Sequence, residues 1–230
     1  MLKLNPAYKG LTLFLISLIL SFEYNYYFNF GIFLVMILLM LINKVSIKKI
    51  VLAFLPVIFL AVGVFFTGFL HSGESTDVTS LTKIVVVIGD AETGMQLAMR
   101  IMAFASIGLF FVFTTDPRLF ILSLNQQFKL PRNFAYGILA AYSFIPIVKQ
   151  EYQNMRFAYR ARGVEKNIFM LPMLVTAVRS SESIAMAMES KGFNSKGKRS
   201  EYIKLSVSIW DYIILVVGTL IVLVGTIIRK

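Results

Sequence analysis

The chain has 230 residues, 57% of them apolar and only 15% charged, with a net charge of +11, whereas soluble domains carry charge on about a quarter of their residues. That balance excludes an ordinary soluble globule. One histidine, His71, and no cysteine exclude a disulfide framework, a thiolate nucleophile and a sulfur-ligated metal, and leave too few ligands for a metal pathway.

Apolar runs at residues 31–42, 50–70, 97–114 and 209–228 approach or meet the roughly 20 residues that cross a bilayer, so the fold class expected is an all-α polytopic membrane protein with about five transmembrane helices. The first is expected near residues 9–22. Lys3 and Lys9 before its apolar stretch imitate a signal peptide, but Ser21-Phe22-Glu23-Tyr24 offers no small-residue cleavage site. An outside turn at 23–29 leads to a second helix at 30–42, and a third helix follows at 50–70. A polar outside loop occupies 72–77, and a fourth helix is expected at 95–114. Residues 79–88 are rich in β-branched side chains and fit either a strand or a helix. A last span at 209–228 would put the C-terminus outside, which Arg229 and Lys230 disfavour.

Charge sets the orientation. Residues 71–95 hold Glu74, Asp77, Asp90 and Glu92 against Lys83, whereas residues 116–204 hold fourteen Lys or Arg against six acids. Basic loops stay inside, so the long basic stretch and the short one at Lys44, Lys48 and Lys49 face the cytoplasm. The expected organisation is N-terminal transmembrane helices in 1–113, cytoplasmic coupling helices in 114–206 and a C-terminal transmembrane helix in 207–230. A basic surface held at a membrane meets anionic lipid or acidic partners, and nucleic acid is not expected.

Within the basic stretch, Pro117, Pro131 and Pro172 sit where helices start, because a first-turn proline forfeits no helical hydrogen bond. Three helices follow, at about 117–128, 131–162 and 171–190, the last two long and crossing. Pro146 marks the change from an apolar to a polar half of the second, where a kink is expected. The third is amphipathic through Leu171, Leu174, Val178, Ser181, Ala185 and Met188, and Ala177, Ser181 and Ala185 would let another helix cross closely.

The second and third of these helices end alike, in Ala161-Arg162-Gly163 and Ser190-Lys191-Gly192. Each pairs a small residue and a cation with a glycine able to take the left-handed conformation of a C-terminal cap. A cation is also what the helix dipole favours there, so a structural cap explains either tip alone. Two copies 29 residues apart suit a pair of exposed binding tips better. The nearby Gly192-Phe-Asn-Ser-Lys-Gly197-Lys198 imitates a phosphate-binding loop, but Arg199 stands where magnesium needs a hydroxyl and a helix precedes it in place of a strand. No cofactor is implied.

With these residues in view, the sequence resembles the transmembrane T component (EcfT/CbiQ-like) of energy-coupling factor transporters, importers of the ATP-binding-cassette class. Leu4-Asn5-Pro6-Ala7-Tyr8-Lys9 is similar to the family's opening Asp-Pro-Arg-Thr-Lys, Thr115-Asp116-Pro117 to the start of its coupling region, and Phe144-Ile145-Pro146 to its Phe-Ile-Pro. Of the family's two Ala-Arg-Gly signatures, the first is intact at Ala161, Arg162 and Gly163, and the second departs as Ser190, Lys191 and Gly192 after Ala187-Met188-Glu189.

The resemblance implies a non-catalytic scaffold whose two signature cations pair with acidic grooves on two ATPase subunits. It would couple ATP hydrolysis to uptake of a vitamin or similar micronutrient through a separate substrate-binding membrane subunit in the plasma membrane. A self-contained secondary transporter or channel is the alternative. Such proteins place ionisable groups within their spans, and here Arg100 and Asp211 lie near span ends. A membrane enzyme has no catalytic constellation to draw on.

Overall fold

The computed structural model of the chain describes residues 4–23, 25–71, 91–163, 170–193 and 202–228. The outside loop expected at 72–77, the β-branched run at 79–88, Gly197 to Arg199, and the C-terminal Arg229 and Lys230 lie outside the described residues. Among those described, the structure is all-helical: α1 (Pro6–Leu20), α2 (Tyr26–Ile42), α3 (Ile47–His71), α4 (Ala91–Thr114), α5 (Pro117–Gln127), α6 (Arg132–Ala161), α7 (Met170–Ser190) and α8 (Ile209–Ile228). The spans Ile47–Leu70, Ala91–Thr114 and Ile209–Thr226 are long and apolar enough to cross a membrane, and α1 and α2 are shorter apolar helices.

Several helices start earlier than hydropathy suggests, because polar caps begin them. Asn5 accepts the Ala7 N–H at 3.2 Å and places Pro6 first in α1. Asn25 accepts the Tyr27 N–H at 3.0 Å, which makes helical most of the turn expected at 23–29. An Asn cap supplies a backbone donor with its missing partner. Pro117 opens α5 and Pro131 is the cap residue of α6, while Pro172 lies inside the first turn of α7.

The chain forms two compact units, Met1–Ser123 with Ser206–Lys230, and Leu124–Leu205. In the first unit α4 is central and touches α1, α2 and α3, and α1 also lies along α8. Ala103 and Ser106 of α4 are wholly buried, and such small residues let membrane helices approach without a hydrophobic driving force. Leu13, Ile16, Leu20, Met36, Met40, Phe54 and Ile107 are among the buried residues packed in this core. Near the far end of α3, a side chain on Gly68 would stand 2.9 Å from the Gly94 Cα, and one on Gly94 would stand 2.8 Å from the Phe65 carbonyl oxygen. Glycine there is a condition of the crossing. Outward residues such as Leu52 and Phe59, 73% and 83% exposed, leave an apolar exterior suited to lipid.

Helices α1 and α4 run antiparallel, and each supplies a cation to the other's carboxyl end. Lys9 donates to the Thr114 carbonyl at 3.2 Å and to the Thr114 hydroxyl, over the Phe110 ring at 4.8 Å. Arg100 donates to the Ser21 carbonyl at the end of α1. Terminal carbonyls without helical partners are where cations bind best.

In the second unit α6 continues through Pro146 for 30 residues and touches α7. The half-buried stripe of α7 is Met173, Thr176, Ser180, Ile184 and Met188. Among the described residues no helix makes the close crossing expected at Ala177, Ser181 and Ala185, since all three are exposed; the larger side chains of the neighbouring stripe give more burial where α7 meets the rest of its unit. The apolar Leu171, Leu174 and Val178 remain 51–68% exposed. Lys129, left-handed at φ 53°, follows α5. Gln126 then holds Ile203 and Leu205 through bonds of 2.7 and 2.9 Å, and Gln127 reaches the Leu205 carbonyl at 2.9 Å.

Candidate functional site

Helix α6 closes on Ala161, with Arg162 as cap residue and Gly163 left-handed at φ +72°. The Arg162 N–H reaches the Ala158 and Tyr159 carbonyls at 3.3 and 3.1 Å, and the Gly163 N–H reaches Arg160 at 3.0 Å. Helix α7 repeats the arrangement. It ends on Ser190, with Lys191 next and Gly192 left-handed at φ +74°. Gly192 donates to the Glu189 carbonyl at 2.8 Å and Phe193 to Met188 at 2.9 Å, the pair of bonds that defines a glycine-closed helix end. Arg162 and Lys191 thus occupy equivalent cap positions, each one residue before a glycine.

That position decides where the cation goes. A left-handed residue turns the chain away from the helix axis, so the residue before it stands at the tip. Ala161, Arg162, Gly163, Ser190 and Lys191 are all exposed, and Gly192 is half-buried. Among the described residues neither cation has a hydrogen-bonding or acidic partner. Among the described residues, none outside its own helix end lies within 4 Å of where a Gly163 side chain would begin, so what calls for glycine here is the left-handed backbone.

The structure keeps the two triplets apart. Phe193 packs edge-on against Tyr136 with ring centroids 5.6 Å apart at 77°, which brings the end of α7 back to the first turns of α6. Arg162 closes the opposite end. From Tyr136 to Arg162 is 26 residues, up to about 39 Å along a helix axis. Two separate contacts, one at each end of α6, are what this geometry can make. Among the described residues no group of three or more His, Asp or Glu could hold a metal ion.

Sequence reasoning missed what fixes the tips and what lies at the other end of the resembling motifs. The Ser190 hydroxyl donates to the Ala187 carbonyl at 3.0 Å, and Phe193 anchors the Lys191 tip. Lys9 and Thr114, in segments noted separately, meet in space. Asp211, noted only as near a span end, is 2% exposed and accepts the Ser208 N–H at 2.8 Å and the Asn5 N–H at 2.8 Å. The spacing Ser208-x-x-Asp211 is a capping-box signature and would have identified that role.

An apolar helical unit with three helices long and apolar enough to cross a membrane, followed by two long helices that each end on an exposed cation and a left-handed glycine, is the architecture of a polytopic membrane protein. The chain belongs to the CbiQ family, described as cobalt transport protein, whose model matches residues 2–203. It is similar to the energy-coupling factor transporter transmembrane protein EcfT of Bacillus subtilis, 25% identical over 88% of this chain and 84% of that protein. The EcfT protein of Staphylococcus aureus is 23% identical over 91% of this chain and 85% of its own length. That of Limosilactobacillus fermentum is 32% identical over 35% of each chain. The chain is accordingly a transport protein of the membrane and a T component of the energy-coupling factor class.

Proposed function

We propose that this chain is the non-catalytic coupling subunit of an energy-coupling factor importer, binding two ATP-binding-cassette ATPases through Arg162 and Lys191 and a separate substrate-binding subunit within the plasma membrane. Residues 114–206 are its cytoplasmic coupling region, and ATP hydrolysis by the partners drives uptake of a micronutrient. The observation that carries this reading is the pair of glycine-closed tips at opposite ends of α6, each presenting one exposed cation.

A planar guanidinium makes a forked, directional pair with a carboxylate, and an ammonium on a flexible stem makes a less directional one. Ala161 and Ser190 are small enough for the tips to enter grooves. Once a tip is buried against an acid, losing one member of the pair costs about 3–5 kcal/mol, enough to detach or uncouple a subunit. Affinity purification in mild detergent tests this: the wild-type chain should bring two ATPase subunits with it, and Arg162→Glu should lose them or uncouple hydrolysis from uptake. Unchanged assembly and transport in Arg162→Glu would sink the proposal.

A further inference from the structure

Resting on the coupling role proposed above, we infer that residues 5–10 at the start of α1 are a mechanical clasp that holds both chain crossings between the two units, with Lys9 and Asp211 as its positioning residues. The chain passes from one unit to the other twice, at Ser123–Leu124 within α5 and at Leu205–Ser206 before α8. These two connections are the covalent links along which a displacement of the second unit is passed to the first. Both are gripped, inside the first unit, by the same six residues.

The grip on the first connection is at the elbow between α4 and α5. Thr115 and Asp116 make the corner, where the Asp116 carboxylate accepts the Arg118 N–H at 2.9 Å and Pro117 begins α5. Lys9 binds the Thr114 carbonyl and hydroxyl on the α4 side of the corner. Gly10 takes the other side: a side chain there would meet Phe120 of α5 at 3.1 Å and Phe111 of α4 at 3.3 Å. Phe111 and Phe120 are themselves edge-on at 5.1 Å. One turn of α1 therefore touches the last turn of α4 and the first turn of α5 together, and fixes the angle between them.

The grip on the second connection is at the first turn of α8. The Asn5 N–H donates to one oxygen of the buried Asp211 carboxylate, and the other oxygen holds the Ser208 N–H. The Tyr8 and Tyr212 hydroxyls meet at 3.0 Å. On the other side of each crossing, within the second unit, Gln126 and Gln127 tie α5 to residues 203 and 205. The two connections are thus braced to each other on one side and to one short segment on the other. A pair of links held at both ends moves as one piece, and a loose pair absorbs displacement. Buried charge-assisted bonds, such as the Asp211 carboxylate to two backbone donors, are the stiff kind.

The test uses the complex recovered with its ATPases, and the absence of cysteine from the chain makes site-specific spin labelling simple. Lys48→Cys with Asn154→Cys reports distance across the units, and Asn154→Cys with Glu182→Cys reports distance within the second unit. ATP with vanadate should shift both distances in the otherwise wild-type chain. Lys9→Met should keep the shift within the second unit and lose the one across units, Lys9→Arg should restore it, and Asp211→Asn should repeat the loss by an independent route. Wild-type shifts across units in both assembled Lys9→Met and Asp211→Asn would overturn the inference. So would loss of both shifts together, which a merely structural role produces. A wild-type chain that recovers no ATPase would overturn the coupling reading itself, a result distinguishable from either.

Discussion

Replacing Gly163 with alanine should loosen the Arg162 tip while leaving the protein folded. Gly163 sits at φ +72° with no described residue outside its own helix end within 4 Å of a prospective Cβ, so the cost of alanine is left-handed backbone strain, about 1–2 kcal/mol for an L-residue. Alanine also removes freedom from the unfolded chain, worth about 0.4–1 kcal/mol in the opposite direction, so global stability falls by between about 0 and 1.6 kcal/mol. The strain is relieved most cheaply by opening the last turn, where the Arg162 and Gly163 N–H groups hold Ala158, Tyr159 and Arg160. A penalty of 1–2 kcal/mol corresponds to roughly 5- to 30-fold more opening, which hydrogen exchange at residues 158–163 reads directly. Affinity for the ATPases should fall by a similar factor. Gly163→Asn, which tolerates the left-handed region, should lie close to wild type in both assays. Alanine and glycine forms with the same exchange rates at these amides would refute the reasoning.

Further predictions concern the second tip and the packing of the first unit. Lys191→Arg should bind ATPase as tightly as wild type or more so, and Lys191→Glu should lose binding, both read by co-purification. Asp211→Asn should lower the melting temperature in detergent, because an amide has one acceptor oxygen for two backbone donors, the buried Asn5 N–H and the more exposed Ser208 N–H, and leaving the buried one without an acceptor costs about 1–3 kcal/mol. Gly94→Val should destabilise strongly, because a Cβ 2.8 Å from the Phe65 carbonyl forces α3 and α4 apart, and overpacking of this kind costs about 1–3 kcal/mol or more. Gly31→Ala, inside α2 with nothing within 4 Å of the added methyl, should instead raise the melting temperature slightly in the same melt, since alanine is favoured over glycine inside a helix by about 0.5–1 kcal/mol.

The helices were legible because membrane spans announce themselves through length and hydropathy, and because prolines and glycines mark helix ends by conformations few other residues accept. The tips at Arg162 and Lys191 were legible for the same reason: a cation one residue before a closing glycine has one place to go. The helix starts were less so, since Asn5 and Asn25 outrank hydropathy through a single side-chain bond each. The stripe that α7 half-buries was misread, because periodicity finds a face without telling which partner fills it, and Met173, Ile184 and Met188 won burial over Ala177, Ser181 and Ala185. Long-range polar pairs, Lys9 with Thr114 and Asn5 with Asp211, join residues 105 and 206 positions apart, a separation over which local spacing carries no signal.

The two tips differ in chemistry, and the backbone at Lys191 is held in a way that suits its cation. Arginine's five donors lie in a rigid fork that selects a carboxylate by geometry, so Arg162 can find its orientation from the partner. Lysine selects by charge alone and depends on its backbone to be aimed. The backbone at Lys191 is correspondingly well held: Gly192 and Phe193 close the helix with bonds of 2.8 and 2.9 Å, the Ser190 hydroxyl bonds back to Ala187, and Phe193 stacks edge-on against Tyr136 of α6. The serine in place of a second alanine thus adds a bond where the guanidinium's directionality has been given up. Phe193→Ala should therefore harm partner binding in the wild-type chain more than in Lys191→Arg, because a fork at that tip would need less aiming. Equal losses in the two backgrounds, measured as ATPase affinity in a double-mutant cycle, would show that the ring anchors the fold of the helix pair and not the direction of the cation.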